Sequence, residues 1–340
     1  MPDKLLTDYD KSAVASAESV FKQISVLQER QYSDEPPPDK VLYHYTSAEG
    51  LKGIIENNEL WATSAYYLND SAEMFYGYNV LREVLDQWFT KNTRAEDSIT
   101  VGLAGQLRSS FEDLFQKRML TPIYLTCFCE EDNLLSQWRA YAQSGGYSIG
   151  VRVLPKIGTF GDRLTPEPNI YTCRWIKVEY ERPKQLEICR NILNPIFTSL
   201  DQPGTTEAMR EVFEHPFVGY QRLLTATMDL LLEEIVRFKS EAFNVEKEWR
   251  AVVRQREFYK QGTDDAGKTP VPVYFRVSRG MLVPYVKLVP WKREKKLPIS
   301  CIRSGPTLDT TLATLAICTI LQKHAFKGVR VQSSNITMRP

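Results

Sequence analysis

Four segments carry more polar and aromatic side chains than a strand or helix needs. Tyr43-His44-Tyr45-Thr46-Ser47 places a histidine in a β-rich run that ends in hydroxyl residues at a helix start. Free N–H groups at a helix N-terminus attract anions, so this is a candidate nucleotide-binding edge. The competing reading is a core histidine satisfied by a backbone carbonyl, with Thr46 or Ser47 as a cap. Tyr66-Tyr67-Leu68-Asn69-Asp70-Ser71, followed by Glu73, offers either a stacking face for an aromatic ligand or a turn with a helix cap. Leu134–Tyr141, which holds Gln137, Trp138 and Arg139, follows Cys127-Phe128-Cys129 and the acidic Glu130-Glu131-Asp132. Arg139 between Trp138 and Tyr141 can fork a phosphate, or the segment is a short helix with Trp138 inside and Arg139 paired to the acidic run. In Phe243–Arg250, an extended backbone puts Glu246, Glu248 and Arg250 on one face and Trp249, Ala251 and Val253 on the other. That is a surface ion pair worth under ~1 kcal/mol, or a carboxylate held ready for catalysis.

Composition narrows these choices. Only three histidines occur, at 44, 215 and 324, too few for a multi-histidine metal centre. Cys127 and Cys129 alternate onto one strand face, but Cys173 and Cys189 are isolated, so no zinc pattern and no metal is expected. With 43 Lys and Arg against 42 Asp and Glu, the net charge is +1. That argues against a broadly basic nucleic-acid binder while leaving a local groove possible, as around Lys287–Lys296. The apolar run near Leu312–Leu321 falls short of the ~20 residues of a membrane span. The N-terminus has no basic start with an apolar core, and six cysteines are too few for a disulfide scaffold. A cytoplasmic protein with no membrane partner is expected.

The elements that must position these residues are legible as a pattern. Residues 1–33 predict an amphipathic helix, and 34–40, with three consecutive prolines, a linker. Residues 41–340 predict one α+β domain with a mixed or antiparallel central sheet. Strand-like runs fall at Val41–Ser47, Leu60–Ser64, Pro122–Glu130, Tyr147–Val153, Arg174–Tyr180, Glu248–Val253, Val271–Val277 and Pro284–Val289. Helical spacing dominates after Ser47, from Asn69–Ser71 to about Arg118, and in an insertion at about 183–239.

Taken together, the motifs YHYTS, LND, LSQWRAY and EWR resemble a bacterial family known as a domain of unknown function, over roughly Val41 to the C-terminus. More distantly, a strand bearing Tyr-His-x-Thr/Ser, a later tyrosine and a late strand glutamate resemble the His-Tyr-Glu arrangement of ADP-ribosyltransferases. This second resemblance implies an ADP-ribosyltransferase-like fold with NAD as substrate. By position, His44 would bond the adenosine ribose, Tyr67 or Tyr66 would stack on nicotinamide, and Glu248, ahead of Glu246, would stabilise the cationic ribose. Tyr76 and Tyr78 stay open for the tyrosine. Tyr45 stands where many of these enzymes have glycine. Thr46, Ser47, Asn69 and Gln137 become candidate polar contacts, and Arg139 or Arg250 a pyrophosphate partner. The implied reaction cleaves the nicotinamide–ribose bond and transfers ADP-ribose to a protein, a nucleic acid or water. Two other readings stand beside it. One is a metal-dependent nuclease or phosphodiesterase built on Asp70, Glu73, Glu246 and Glu248. The other is a non-catalytic nucleotide- or protein-binding module anchored by Trp138, Arg139 and Tyr141.

Overall fold

The computed structural model describes residues 20–27, 36–37, 39–68, 72–92, 99–116, 123–141, 145–153, 159–160, 171–202, 216–254, 272–290 and 295–337. Asn69, Asp70 and Ser71 lie outside the described residues. The fold is mixed α+β, with a mostly antiparallel open sheet and several helices. The chain divides into two compact units. One comprises residues 1–33, 70–121 and 179–241; the other comprises 34–69, 122–178 and 242–340.

The first unit is helical. Besides the helix at 20–27, here α1, it contains α3 (Ala72–Lys91), α4 (Ile99–Gln116), α6 (Arg182–Leu200) and α7 (Pro216–Ile235). Helical spacing turns Leu103, Leu107, Phe111 and Leu114 of α4 inward, and Ile192, Leu193 and Ile196 of α6 likewise. Gly77 lets α3 and α7 approach closely: a Cβ there would lie 2.5 Å from the carbonyl oxygen of Ile235. A buried polar core accompanies the apolar one. Gln185 donates to the carbonyls of Glu179 and Lys239 and accepts from Tyr76 Oη, while Lys239 pairs with Glu73 at 2.9 Å.

The second unit is built on the sheet. Its strands are β1 (Val41–Ser47), β2 (Leu60–Ser64), β3 (Ile123–Cys129), β4 (Gly146–Arg152), β5 (Thr159–Phe160), β6 (Tyr171–Lys177), β7 (Glu248–Arg254), β8 (Tyr274–Ser278), β9 (Met281–Leu288), β10 (Ile299–Ser304) and β11 (Arg330–Ser333). The order is β11-β10-β4-β1-β3-β2-β9-β8, and β7 leads from β3 into a branch with β6 and β5. Among the described strands, only β10 and β11 run parallel. Ser47 caps α2 (Ala48–Asn57) by accepting from Gly50 N–H, and Asn58, at φ 55°, ends it in the left-handed conformation. Apolar residues of α2 (Leu51, Ile54, Ile55) and of α8 (Thr310–Lys323: Ile317, Leu321) pack with Leu42, Phe128, Trp249, Ala251 and Val253 into the main core. Strand alternation leaves Tyr43, Tyr45, Cys127, Cys129, Glu248 and Arg250 on the opposite face.

Strand β3 is where the sheet forks. Along one edge it pairs with β7 from Ile123 to Cys129. Its other edge is shared: β2 pairs at Tyr124 and Leu125, and β1 only at Cys129. Between them, Thr126–Phe128 have no ladder partner on that side. Side chains fill the gap, as buried backbone groups require. His44 Nδ1 bonds the Cys127 carbonyl at 3.0 Å, and Thr126 Oγ1 donates to the Trp61 carbonyl at 2.9 Å.

Candidate functional site

A cleft opens where β1 and β3 part. Its walls are Tyr43, His44, Tyr45, Cys127, Phe128, Gln137, Tyr141, Glu246 and Glu248. β1 supplies Tyr43, His44 and Tyr45. The short helix α5 (Leu135–Tyr141) supplies Gln137 and Tyr141, one turn apart on one helix face. A tight turn over Glu241–Glu246 and the start of β7 supply the carboxylates.

The surroundings of His44 favour its neutral form. Burial pulls its pKa down and the positive charge of Arg276 adds to that, against the opposing bond to Cys127. A carbonyl only accepts, so Nδ1 carries the proton and Nε2 is left as an acceptor. Nε2 makes no hydrogen bond to any described residue. A backbone carbonyl satisfies one nitrogen, and His44 is among the residues that line the cleft.

Glu248 and Arg250 share a strand face, and the pair is buried, with relative exposures of 4% and 1%. Arg250 Nε lies 2.8 Å from Glu248 Oε1, and its Nη2 lies 3.3 Å from Oε2. This fork fixes the carboxylate plane and is no surface ion pair. Trp249, Ala251 and Val253 face the core. The extended register begins only at Glu248, because Glu241–Glu246 form the turn and Lys247 takes φ 45°. Glu246 reaches the cleft from the end of that turn.

The acidic run before α5 holds the helix in place. Glu130 accepts from Lys40 at 2.6 Å and from Trp249 Nε1 at 2.8 Å, with Lys177 at 3.4 Å. Burial raises its pKa, but these donors and charges outweigh it and hold the carboxyl at about 2. Glu131 pairs with Lys247, and Asp132 accepts two bonds from Arg303 at 2.7 and 3.0 Å. Tyr45 Oη donates to the Glu131 carbonyl and accepts from Leu134 N–H, both at 2.8 Å. Burial raises its pKa steeply, and its ring meets Trp138 edge-on at 4.8 Å. Trp138 is fully buried and donates from Nε1 to Asn133, so it positions α5 from within and presents no anchor to a partner. Arg139 is exposed and takes no part in the acidic network.

Of the residues singled out from the sequence, the cleft thus gathers His44, Tyr45, Gln137, Glu246 and Glu248. Arg250 pairs with Glu248 and is not among the lining residues. Thr46 packs against Gly50 and Ser47 caps α2. Tyr66 and Tyr67 sit on the turn after β2 and are not among the lining residues. Glu73 belongs to the helical unit and is paired with Lys239. No group of three or more His, Cys, Asp or Glu placed to hold a metal ion occurs among the described residues. No helix among them is long and apolar enough to cross a membrane. Tyr43 and Cys127 lie in the singled-out segments but carried no site role of their own, and Tyr141 was weighed beside Arg139 for phosphate and stacking or as an anchor for a partner. Period-two alternation around Tyr45 and Cys129, and i, i+4 spacing from Gln137, are the signals that point to them.

Neither a curated protein nor a solved structure matches the chain. A family model matches a narrower span than the motifs, leaving His44 outside it while including Gln137, Glu246, Glu248 and Arg250. Residues 137–251, from α5 to β7, match the model of the family described as protein of unknown function (DUF2971).

Proposed function

We propose that the cleft binds the nicotinamide riboside end of NAD, and that the protein is an ADP-ribosyltransferase-like enzyme on an ADP-ribosyltransferase-like fold. The observation that carries this reading is the meeting of His44 and Glu248, some two hundred positions apart in sequence, in one cleft. In the reaction the bond between ribose C1′ and the nicotinamide nitrogen breaks, and its electron pair leaves with neutral nicotinamide. An acceptor oxygen or nitrogen, on a macromolecule or water, then bonds C1′ and releases its proton. Glu248, held by Arg250, supplies fixed negative charge beside the developing oxocarbenium ion, the role a carboxylate plays in glycoside hydrolysis. His44 Nε2 accepts from a ribose hydroxyl. Tyr141 takes the stacking role first given to Tyr67, and Gln137 offers an amide to the nicotinamide carboxamide.

Incubation with NAD is expected to release nicotinamide. Glu248→Gln should slow that release by about 100-fold or more, with far-UV circular dichroism unchanged. Absence of both NAD binding and nicotinamide release, or equal rates in the two proteins, would overturn the assignment.

A further inference from the structure

The cleft residues recognise a ring and a sugar but offer no free cation to a phosphate. Arg250 is committed to Glu248, Arg303 to Asp132, and Lys287 lies 3.3 Å from Glu59. Arg276 on β8 differs. Its Nη2 donates to Thr63 Oγ1 at 3.1 Å, and its guanidinium stands 5.9 Å from the centre of the Trp61 ring. It makes no ion pair with a carboxylate among the described residues, and its Nε is buried with no hydrogen-bond partner among them. Trp61 is 36% exposed and stacks on Tyr285 at 4.3 Å. Burial lowers the Arg276 pKa, and its charge is felt at His44. A half-buried guanidinium without a counter-charge is costly unless an anion arrives to complete it.

Register places this group on the face that carries the cleft. Thr63 pairs with Leu125 on β3, and Leu125 shares its strand face with Cys127 two residues on. Strand spacing and rise put the Thr63 position about 8 Å from that of Cys127. That is on the order of the separation between a nicotinamide ring and the first phosphate attached to its ribose.

We propose that Arg276, seated on Thr63 and faced by Trp61, forms a phosphate-binding subsite that takes the pyrophosphate of the dinucleotide. The identity of the ligand rests on the NAD reading; the anion site itself does not. The sequence pointed instead to Arg139 or Arg250 for this role, because both lie inside aromatic motifs.

The test is calorimetric titration of the full chain with NAD and, separately, with inorganic pyrophosphate, using wild type, Arg276→Gln and Arg276→Lys. Both ligands are expected to bind and to compete. Arg276→Gln should weaken each at least tenfold, and Arg276→Lys less. Thr63→Val, which removes the hydroxyl under the guanidinium, should weaken both a few-fold and keeps the test open if Arg276→Gln does not fold. Pyrophosphate binding that depends on Arg276, without any NAD binding, would uphold the phosphate site and sink the NAD reading. Unchanged pyrophosphate affinity in folded Arg276→Gln, or no binding of either ligand to wild type, would overturn the subsite.

Discussion

Glu130 is the carboxylate that most firmly joins the acidic loop to the rest of the sheet unit, and its titration gives a quantitative test. Its carboxyl falls from an ordinary 4.5 to about 2, which at about 1.4 kcal/mol per tenfold corresponds to about 3 kcal/mol. With side-chain exposure of 24%, solvent screening trims the expectation to about 2 kcal/mol. Because the folded value is the lower one, this stabilisation is fully present above pH 4.5 and drains away as pH falls through about 2. Glu130→Gln should therefore cost about 2 kcal/mol at pH 7 by urea unfolding, and the gap to wild type should close across that acid window. A gap that stays constant from pH 7 to pH 2, or one below about 0.5 kcal/mol at pH 7, would refute the idea that Lys40, Trp249 and Lys177 act through the charge of Glu130.

Substitutions at Arg250 and Trp138 address the supports of the cleft. Arg250→Met leaves the buried Glu248 carboxylate without its fork and should cost about 3–5 kcal/mol. Adding Glu248→Gln should recover much of that loss, and strict additivity of the two in urea unfolding would contradict the pairing. Trp138→Ala removes a fully buried indole and should cost about 3–5 kcal/mol. Hydrogen exchange should then quicken in α5 before it does in β3.

Much of the architecture follows from local rules. Alternation reveals β1, β3, β4 and β7 within a residue or two, and the Ser47 cap with Asn58 bounds α2 as their chemistry requires. Glu248 and Arg250 fall on one strand face because their spacing is two. What does not follow is the fork of β3, since no residue of Ile123–Cys129 announces that two strands will share one of its edges. That fork turns His44 from a plain core histidine into one that bridges a gap and lines a cleft. Partner choice was equally hidden. Arg139 looked like the phosphate ligand because of its neighbours in sequence, whereas Arg276 stands alone in an apolar strand and acquires its setting only when β2 and β9 align. The acidic run looked like a partner for Arg139, yet its three successive carboxylates reach Lys40, Lys247 and Arg303.

The most direct measurement is a crystal structure of Glu248→Gln with NAD bound. Nicotinamide is expected between His44 and Tyr141, ribose C1′ within about 3.5 Å of the residue 248 side chain, and the pyrophosphate on Arg276. A dinucleotide seated away from His44, or with its nicotinamide ring outside the gap between β1 and β3, would contradict it.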